Sequence, residues 1–407
     1  MSIIQTFKER GFFQQTSHEA ALEKRLNDGP LCCYIGFDPT ADSFHVGHLV
    51  PMMGLAHLQR AGHQVIALVG GGTALIGDPT GKTEMRQILT KDTIEANIPK
   101  LKSQLARFLN FEQNARLVNN AEWLCALNYV DFLREFGPHF SVNRMLSFET
   151  YKARMETGLS FLEFNYQPLQ AYDFLELYRR YGCVLQLGGD DQWANILAGS
   201  DLIRRVEKTE AYALTYPLLT TASGKKMGKT EKGAVWLSAE KTSPYDYFQY
   251  WINVEDDHVQ KCLATFTFLP MEEVAALGNL QGADIRQAKA RLAYETTALL
   301  HGEEEAHKSQ EAANALFGGG STNLENVPST TIASEALAAG IDMPTIFQQT
   351  GLCQSKGEAR RLLGQGGVYV NEVRINDDQF KLSPEHPEGG VILLRAGKKR
   401  YHRLVVA

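Results

Sequence analysis

Residues 34–48 read YIGFDPTADSFHVGH, and this stretch decides the fold. It begins as a short apolar run, passes through a turn rich in Asp, Pro and Thr, and reaches two histidines, after which a helical pattern starts. A strand, a loop and a helix start in this order are typical of an α/β unit. The free N–H groups of a helix start and the missing side chain of Gly47 favour a phosphate or a flat ligand there. His45 and His48 would both donate to such a ligand, although the same spacing also fits two incidental polar residues or half of a metal site.

Outward from this stretch, short apolar runs alternate with helical periods as far as about residue 215. The alternation predicts an α/β fold with a parallel sheet, whose ligands gather at the carboxyl ends of the strands. The predicted strands are Leu31–Phe37, Gln64–Val69, Arg116–Val118, Cys183–Leu187 and Ala211–Thr215. The predicted helices are His48–Arg60, Asp92–Leu109, Ala121–Phe136 and Phe161–Tyr181.

The composition is that of an ordinary globular protein. The 407 residues are 44% hydrophobic and 22% charged, which excludes a disordered or collagenous chain. No apolar run approaches the roughly 20 residues that span a bilayer, and Lys8, Glu9 and Arg10 lie where a signal peptide is apolar. We therefore expect a cytoplasmic protein with no membrane partner. The six cysteines show no CxxC spacing, so neither a zinc site nor a disulfide framework is predicted.

Charge is distributed unevenly along the chain. The net charge is −6, yet residues 336–407 carry ten Lys and Arg against seven Asp and Glu. Five of these cations fall between Arg395 and Arg403, a density that suits phosphates, although the charge run alone favours a solvated face. A Gly- and Ser/Thr-rich stretch over 318–335 is predicted to be the linker that precedes this basic tail.

A second glycine-rich segment covers residues 70–83. It does not form a Walker loop, because position 76 is Ile76, and it does not form a dinucleotide fingerprint, because position 75 is Leu75. It leaves Asp78 at a strand exit, with Lys82 and Arg86 where they could turn toward phosphates or simply keep a loop soluble.

Three further segments carry polar groups in patterns that suit a ligand. Tyr166, Gln170 and Asp173 share one helix face, which is either a binding face or the wet side of the helix. Residues 188–192, GGDDQ, form a second junction of a strand with a helix start. Residues 225–230, KKMGKT, form a cationic loop whose default interpretation is solvent exposure.

Taken together and in this order, these segments resemble the bacterial tyrosyl-tRNA synthetases, a family of class I aminoacyl-tRNA synthetases. The resemblance spans nearly the whole chain. It rests on YIGFDPTADSFHVGH (the HIGH signature), GDPTGKTEMR, NYQPLQAYD, QLGGDDQW, KKMGKT (the KMSKS signature, with Gly228 and Thr230 in place of serines) and SKGEARRLLGQGGVYVN.

The resemblance implies three folded parts. It predicts a Rossmann-like catalytic domain over residues 1–220, in which about 121–154 form the interface of a homodimer. An all-helical domain with the KMSKS-like loop follows over 221–317, and a small α+β RNA-binding domain of the S-four type follows the linker over 336–407.

The resemblance also implies the reaction, in which tyrosine and ATP give tyrosyl adenylate and pyrophosphate, and tyrosine then passes to the 3′-terminal adenosine of tRNA(Tyr). ATP is a substrate accompanied by Mg²⁺, and no metal site on the protein is expected. Tyr34 and Asp173 would bind the phenolic hydroxyl of tyrosine, where only the substrate would satisfy them. The remaining tyrosine-binding residues implied are Asp78, Tyr166, Gln170 and Gln192.

Other residues are implied for the nucleotide and the RNA. The family pattern gives the catalytic set Thr40, His45, His48, Lys82, Arg86, Lys226, Lys229 and Thr230. It gives the ATP-binding set Gly36, Asp38, Thr40, His45, His48, Gly189, Asp191, Gln192 and Lys229, with Asp190 as an alternative to Asp191 at the ribose. It gives the RNA-binding set Lys356, Arg360, Arg361, Lys398, Lys399 and Arg400.

Three other functions fit parts of the sequence. A small-molecule nucleotidyltransferase also uses HxGH, but it would need neither the basic tail nor a pair of groups for a phenol. A tryptophanyl synthetase is the second alternative, but Asp173 beside Tyr34 suits the hydroxyl of tyrosine better than the indole of tryptophan. An RNA-binding protein with a decayed synthetase domain would have no reason to retain His45, His48, Lys226 and Lys229.

Overall fold

The computed structural model describes residues 2–80, 89–218, 229–230, 233–317, 327–377, 379–387, 390–397 and 400–407. The chain forms two compact units, one of Met1–Thr242 with Val254–Leu292 and the other of Ser243–Asn253 with Ala293–Ala407. The helical stretch 243–317 is thus shared between the units. The domain borders drawn from the sequence stay a prediction.

The helices and strands follow one another along both units. The helices are α1 Ile3–Arg10, α2 Glu19–Asn27, α3 Leu49–Arg60, α4 Lys91–Leu105, α5 Ala121–Leu124, α6 Tyr129–Glu135, α7 Val142–Ser147, α8 Glu149–Thr157, α9 Phe161–Phe164, α10 Tyr166–Tyr181, α11 Trp193–Val206, α12 Pro244–Ile252, α13 Val259–Phe266, α14 Met271–Gly278, α15 Ile285–His301, α16 Glu303–Phe317, α17 Ser334–Ala338, α18 Met343–Gln349 and α19 Lys356–Gly364. The strands are β1 Gln15–Thr16, β2 Cys32–Phe37, β3 Gln64–Val69, β4 Ala115–Asn119, β5 Cys183–Gly189, β6 Tyr212–Tyr216, β7 Lys229–Thr230, β8 Gly233–Ala234, β9 Ser329–Ile332, β10 Ile341–Asp342, β11 Val368–Val370, β12 Val373–Ile375, β13 Lys381–Leu382, β14 Val391–Ala396 and β15 Arg400–Val406.

The first unit is built on one sheet with the strand order β1, β6, β5, β2, β3, β4. Strands β2 to β6 run parallel, and β1 adds an antiparallel edge that the sequence did not predict. All five predicted strands are present, so the expected α/β fold with a parallel sheet is confirmed. The chain leaves β2 toward β3 and β4 and returns to β5 on the other side, which makes the β2–β5 junction the point where a ligand is expected.

Helix starts and ends in the first unit follow from single residues. The predicted helix Ala121–Phe136 is two helices, α5 and α6, because Asn128 Oδ1 accepts the N–H groups of Val130 and Asp131 and starts a new helix. Helix α10 begins at Tyr166, so Pro168 lies in the first turn, where its missing N–H does no harm.

The second unit contains a smaller sheet with the order β12, β11, β14, β15, β9. Alternate residues of β14 (Ile392, Leu394, Ala396) are buried in its core with the apolar faces of α18 and α19, and this α+β arrangement matches the expectation for the tail. Strand β9 pairs with β15 within the stretch predicted as a linker. The sequence suggested a linker because of Pro328 and the neighbouring hydroxyls, but β-branched residues fit a strand. Among the described residues, no helix has the length and apolar character needed to cross a membrane.

Candidate active site

A cavity of about 620 Å³ opens at the carboxyl ends of β2 and β5, where the strand order reverses. Its wall contains Tyr34 and Asp173 as well as both histidines of the HVGH segment, so a single cavity joins these two groups as expected. Every predicted tyrosine or nucleotide residue whose side chain is described lines it: Tyr34, Gly36, Asp38, Thr40, His45, His48, Asp78, Tyr166, Gln170, Asp173, Gly189, Asp191 and Gln192.

Asp173 and Tyr34 differ in how their polar atoms are satisfied. The Asp173 carboxylate accepts a hydrogen bond from Asn120 Nδ2 at 2.9 Å and from Trp123 Nε1 at 2.7 Å. The Tyr34 hydroxyl is buried and has no hydrogen-bond partner among the described residues. The expectation that only a substrate satisfies both groups is therefore wrong for Asp173 and holds for Tyr34. Because an unpaired buried hydroxyl is costly, Tyr34 favours a ligand that brings a polar atom to it.

Burial controls the titration of this pair. The pKa of Asp173 is raised to about 8 by burial, while the hydrogen bonds from Asn120 and Trp123 act in the opposite direction. Burial and the neighbouring Asp173 together raise the pKa of the Tyr34 phenol. Tyr34 therefore stays a neutral hydroxyl that can both donate and accept a hydrogen bond.

The polar face of α10 lines the cavity and is not a wet side of the helix. Tyr166 and Asp173 are 6% and 1% exposed, and Gln170 Oε1 is buried without a partner among the described residues. Tyr166 Oη donates to Asp38 Oδ2 at 3.1 Å. Helix α10 thus directs polar atoms into the cavity from three successive turns.

The carboxylates after β3 and β5 are held by local contacts. Asp78 accepts the Thr80 N–H at 2.9 Å and Gln192 Nε2 at 2.8 Å. Asp190 accepts Gln15 Nε2 and the Thr215 hydroxyl and is not part of the cavity wall, whereas Asp191 is. Asp191 therefore lines the cavity and Asp190 does not, and the assignment of Asp191 to the ribose stays a prediction.

Both histidines are oriented by the backbone. His45 precedes the 3₁₀ turn Val46–His48, and its Nδ1 accepts the Gly47 N–H at 3.0 Å. His48 Nδ1 lies 3.3 Å from both the backbone nitrogen and the carbonyl oxygen of His45, so the tautomer of His48 decides whether this atom accepts or donates. In a neutral His45 imidazole that accepts at Nδ1, the proton is on Nε2, which is compatible with the predicted role of a hydrogen-bond donor.

Comparison with known proteins agrees with this site. Residues 26–318 match the family described as tRNA synthetases class I (W and Y), and residues 321–404 match the tyrosine–tRNA ligase SYY-like C-terminal domain. The chain belongs to the tyrosyl-tRNA synthetase family. It is 54% identical to a protein of Caldanaerobacter subterraneus over all of both chains, and 53% identical to one of Desulfatibacillum aliphaticivorans over 100% of this chain and 99% of the relative. Both relatives are named tyrosine–tRNA ligase.

Solved structures give the same family. The C-terminally truncated mitochondrial tyrosyl-tRNA synthetase of Aspergillus nidulans is 31% identical, with a TM-score of 0.71 over 78% of this chain and 94% of that one. A tryptophanyl-tRNA synthetase of Encephalitozoon cuniculi, 12% identical with a TM-score of 0.55 over 75% of this chain and 87% of that one, shares the fold.

The segment that follows the KMSKS-like loop forms backbone hydrogen bonds with the HVGH segment. The Val46 N–H bonds to the Val235 carbonyl at 2.9 Å, and the Leu237 N–H bonds to the Phe44 carbonyl at 2.8 Å. Trp236, between these bonds, packs edge-on against the His45 ring and lines the cavity. Sequence reasoning missed Trp236, whose only local signal is its place just after the loop.

Several predicted cations lie outside the described residues. These are Lys82, Arg86, Lys226, Lys398 and Lys399, and for Lys229 and Thr230 only the backbone of β7 is described. In the tail, Lys356, Arg360 and Arg361 are exposed on α19, whereas Arg400 donates to the Leu352 carbonyl at 2.6 Å.

The sequence also missed residues beneath the cavity. Thr73, Asn120, Gln186 and Tyr216 line it, and Trp123 contacts Asp173 without lining it. Gln186 lies within the QLGGDDQW segment and is the register partner of Tyr34 on the adjacent strand, so its position could have been inferred from the predicted sheet.

Proposed function

We propose that this chain is a tyrosine–tRNA ligase that forms tyrosyl adenylate from L-tyrosine and ATP and then charges tRNA(Tyr). The observation that carries the proposal is the cavity that joins a buried phenol-binding pair to two backbone-oriented histidines at the β2–β5 junction. Full-length relatives named tyrosine–tRNA ligase support the same activity.

The phenol end of tyrosine binds at Tyr34 and Asp173 in this proposal. The unpaired Tyr34 hydroxyl gains a partner from the substrate hydroxyl, and the Asp173 carboxyl, already held by two donors, presents a fixed oxygen to it. Phenylalanine would leave the Tyr34 hydroxyl without a partner, so it is rejected. Indole lacks a hydroxyl at this position, which favours tyrosine over tryptophan.

The ammonium group of tyrosine binds among Asp78, Tyr166 and Gln170. Asp78 supplies the negative charge, and the buried Gln170 Oε1 lacks a partner that an ammonium N–H would provide. Gln192, whose Nε2 donates to the carboxylate of Asp78, is the fourth residue of this ammonium-binding group.

The activation step needs no nucleophile from the protein. A carboxylate oxygen of tyrosine attacks the α-phosphorus of ATP, the bond from that phosphorus to the oxygen bridging to the β-phosphate breaks, and pyrophosphate leaves. Mg²⁺ accompanying ATP would offset the negative charge of the phosphates. Thr40, His45 and His48 donate to the phosphates, and Gly36, Asp38, Gly189, Asp191 and Gln192 line the nucleoside. Lys82, Arg86, Lys226, Lys229 and Thr230 stabilise the departing pyrophosphate. In the second step a ribose hydroxyl of the terminal adenosine attacks the tyrosyl carbonyl, and AMP leaves.

Glycine makes room for the nucleotide at the sheet. A Cβ on Gly36 would meet no atom within 4 Å and would project from a strand that is otherwise buried. A Cβ on Gly189 would lie 2.6 Å from Asp191 Oδ1. Both positions allow a ligand and a carboxylate to approach the backbone closely.

The exposed cations of α19 bind tRNA phosphates in this proposal. Lys356, Arg360 and Arg361 lie on one short helix and make no ion pair among the described residues. We assign the same function to Lys398, Lys399 and Arg400, of which the structure describes Arg400 at the start of β15.

We also infer a homodimer that forms through the predicted segment 121–154. Large apolar side chains are exposed within and beside it: Tyr129, Val130, Leu133, Val142, Met155 and Phe161. Such a concentration of exposed apolar residues is typical of a protein interface. Val130→Glu should shift the mass measured by light scattering from dimer to monomer, while Lys24→Ala on α2 should not.

ATP–pyrophosphate exchange measured with each of the twenty amino acids tests the activity. Exchange that depends on tyrosine alone is expected. Exchange with tryptophan alone, or none with any amino acid, would contradict the proposal.

A further inference from the structure

A continuous set of hydrogen bonds in the wall of the cavity joins two of the four carboxyl groups that the described residues contribute to it, those of Asp38 and Asp173. Tyr166 Oη donates to Asp38 Oδ2 at 3.1 Å, and the Thr73 hydroxyl donates to Asp38 Oδ1 at 2.8 Å. Asn120 Nδ2 lies 3.1 Å from the Thr73 hydroxyl and 2.9 Å from Asp173 Oδ2. Asp38, in the nucleoside wall, and Asp173, in the phenol site, are therefore connected through two side chains.

The direction of each bond is fixed by the donors available. The Gly72 N–H bonds to Asn120 Oδ1 at 2.7 Å, so the amide nitrogen of Asn120 must face both Thr73 and Asp173. Thr73 has one hydroxyl proton, which goes to the acceptor-only Asp38 carboxylate, so its oxygen accepts from Asn120. Each link thus holds its neighbour in one orientation.

The space for this set depends on a glycine. A Cβ on Gly70 would lie 1.9 Å from Asp38 Oδ1 and 2.4 Å from the Thr73 hydroxyl. Thr73 and Asn120 are 2% and 1% exposed, so water does not replace a missing partner readily. The backbone after β3 is therefore arranged around the contact between Thr73 and Asp38.

We propose that Thr73 is a positioning residue that couples recognition of the phenol to the orientation of Asp38. It touches no reacting atom. It holds Asp38 directly and Asp173 through Asn120. A change in the orientation of one of these two carboxyl groups is therefore passed on to the other. This inference rests on the proposed tyrosine–tRNA ligase activity.

Thr73→Val removes the hydroxyl at nearly constant size. In ATP–pyrophosphate exchange we expect kcat/KM for tyrosine to fall roughly 10- to 100-fold, the range for losing one buried hydrogen bond. We expect a smaller loss for phenylalanine, so that the preference for tyrosine shrinks. Thr73→Ser, which keeps the hydroxyl, should restore the preference. An unchanged preference in Thr73→Val, or no rescue by serine, would overturn the proposal.

Thr297→Val is the matched control, because Thr297 is fully buried and its hydroxyl has no partner among the described residues. It should leave both kcat/KM values unchanged. Thermal melting confirms that each variant is folded, and Thr73→Ala repeats the measurement if the valine variant melts early.

A double-mutant cycle separates coupling from a local structural effect. In an Asp173→Asn background, Thr73→Val should change the tyrosine preference far less than in the wild type, because the residue through which it acts has already been altered. Equal effects in both backgrounds would overturn the coupling. If the wild type itself shows no tyrosine-dependent exchange, the proposed activity fails and the coupling fails with it; normal wild-type exchange with an additive cycle refutes the coupling alone.

Discussion

The two sides of the cavity are built differently. On the α10 side, Asp173 and Tyr166 project from a long helix and are held by other side chains. On the histidine side, His45 and His48 lie in a 3₁₀ turn and are held by backbone groups. The proposed tyrosine side is thus fixed by packed side chains, whereas the proposed phosphate side is oriented by the main chain.

Removing a cation should affect only the phosphate side, and this is the largest effect we expect. Lys229→Ala should slow tyrosine activation about 100- to 1000-fold, the usual loss when one charge-stabilising donor is removed. Tyrosine binding measured by calorimetry should change little, because Lys229 is not part of the α10 side. Lys24→Ala, an exposed lysine on α2, is the control. Unchanged exchange kinetics in Lys229→Ala would refute its assignment.

Changing Asp173 should have the converse effect: it should alter the α10 side and leave the phosphate side intact. Asp173→Asn keeps the size but removes the carboxylate that faces Tyr34, so the ratio of kcat/KM for tyrosine over phenylalanine should fall roughly 10- to 100-fold. The KM for ATP should stay close to the wild-type value. Asp28→Asn, the same substitution at an exposed aspartate after α2, is the control. A preserved ratio would mean that the phenol is recognised elsewhere.

Cations outside the cavity should leave both of its sides intact. Arg360→Ala combined with Arg361→Ala should lower kcat/KM for tRNA charging on the order of tenfold and weaken its dependence on salt, because two phosphate contacts are lost. Exchange with tyrosine should not change. Lys24→Ala with Lys102→Ala, two exposed lysines of the first unit, should leave charging unaffected. A parallel loss of exchange would show that α19 supports the fold of the enzyme and not RNA binding.

The sequence predicted local features well. The central strands β2 and β3 are short apolar runs, and β3 matches its predicted bounds, because a strand buried on both faces reads as a nearly continuous hydrophobic segment. The face of α10 follows from helical spacing alone.

The contacts that depend on the sheet order could not be read from the sequence. Thr73 and Asn120 meet because the ends of β3 and β4 are adjacent, and nothing local marks either residue as part of a site. Asp190 and Asp191 are neighbours that face different partners in one turn. To predict which of the two lines the cavity, one must know where each side chain points, and sequence spacing does not show this. The strand β9 was missed because hydroxyl residues suit both linkers and strand edges.

Titration of Asp173 gives the smallest effect and tests whether the α10 side carries an energetic cost. Burial raises its pKa to about 8, while an unfolded aspartate titrates near about 4. The folded state therefore retains a proton that the unfolded state loses, so stability is highest below about pH 4, declines as the pH rises to about 8, and is constant above. Nearby Asp38 and Glu176 act in the same direction as burial, so they strengthen this trend.

Asp173→Asn cannot lose a proton in this range, so its melting temperature should fall less between pH 5 and pH 8 than that of the wild type, by a few degrees at most. Other groups titrate equally in both proteins, and the difference between the two slopes therefore isolates Asp173. Parallel slopes would mean that the hydrogen bonds from Asn120 and Trp123 offset the cost of burying Asp173 completely. A steeper slope in the wild type would instead show that the proposed recognition of the phenol is maintained at the expense of stability.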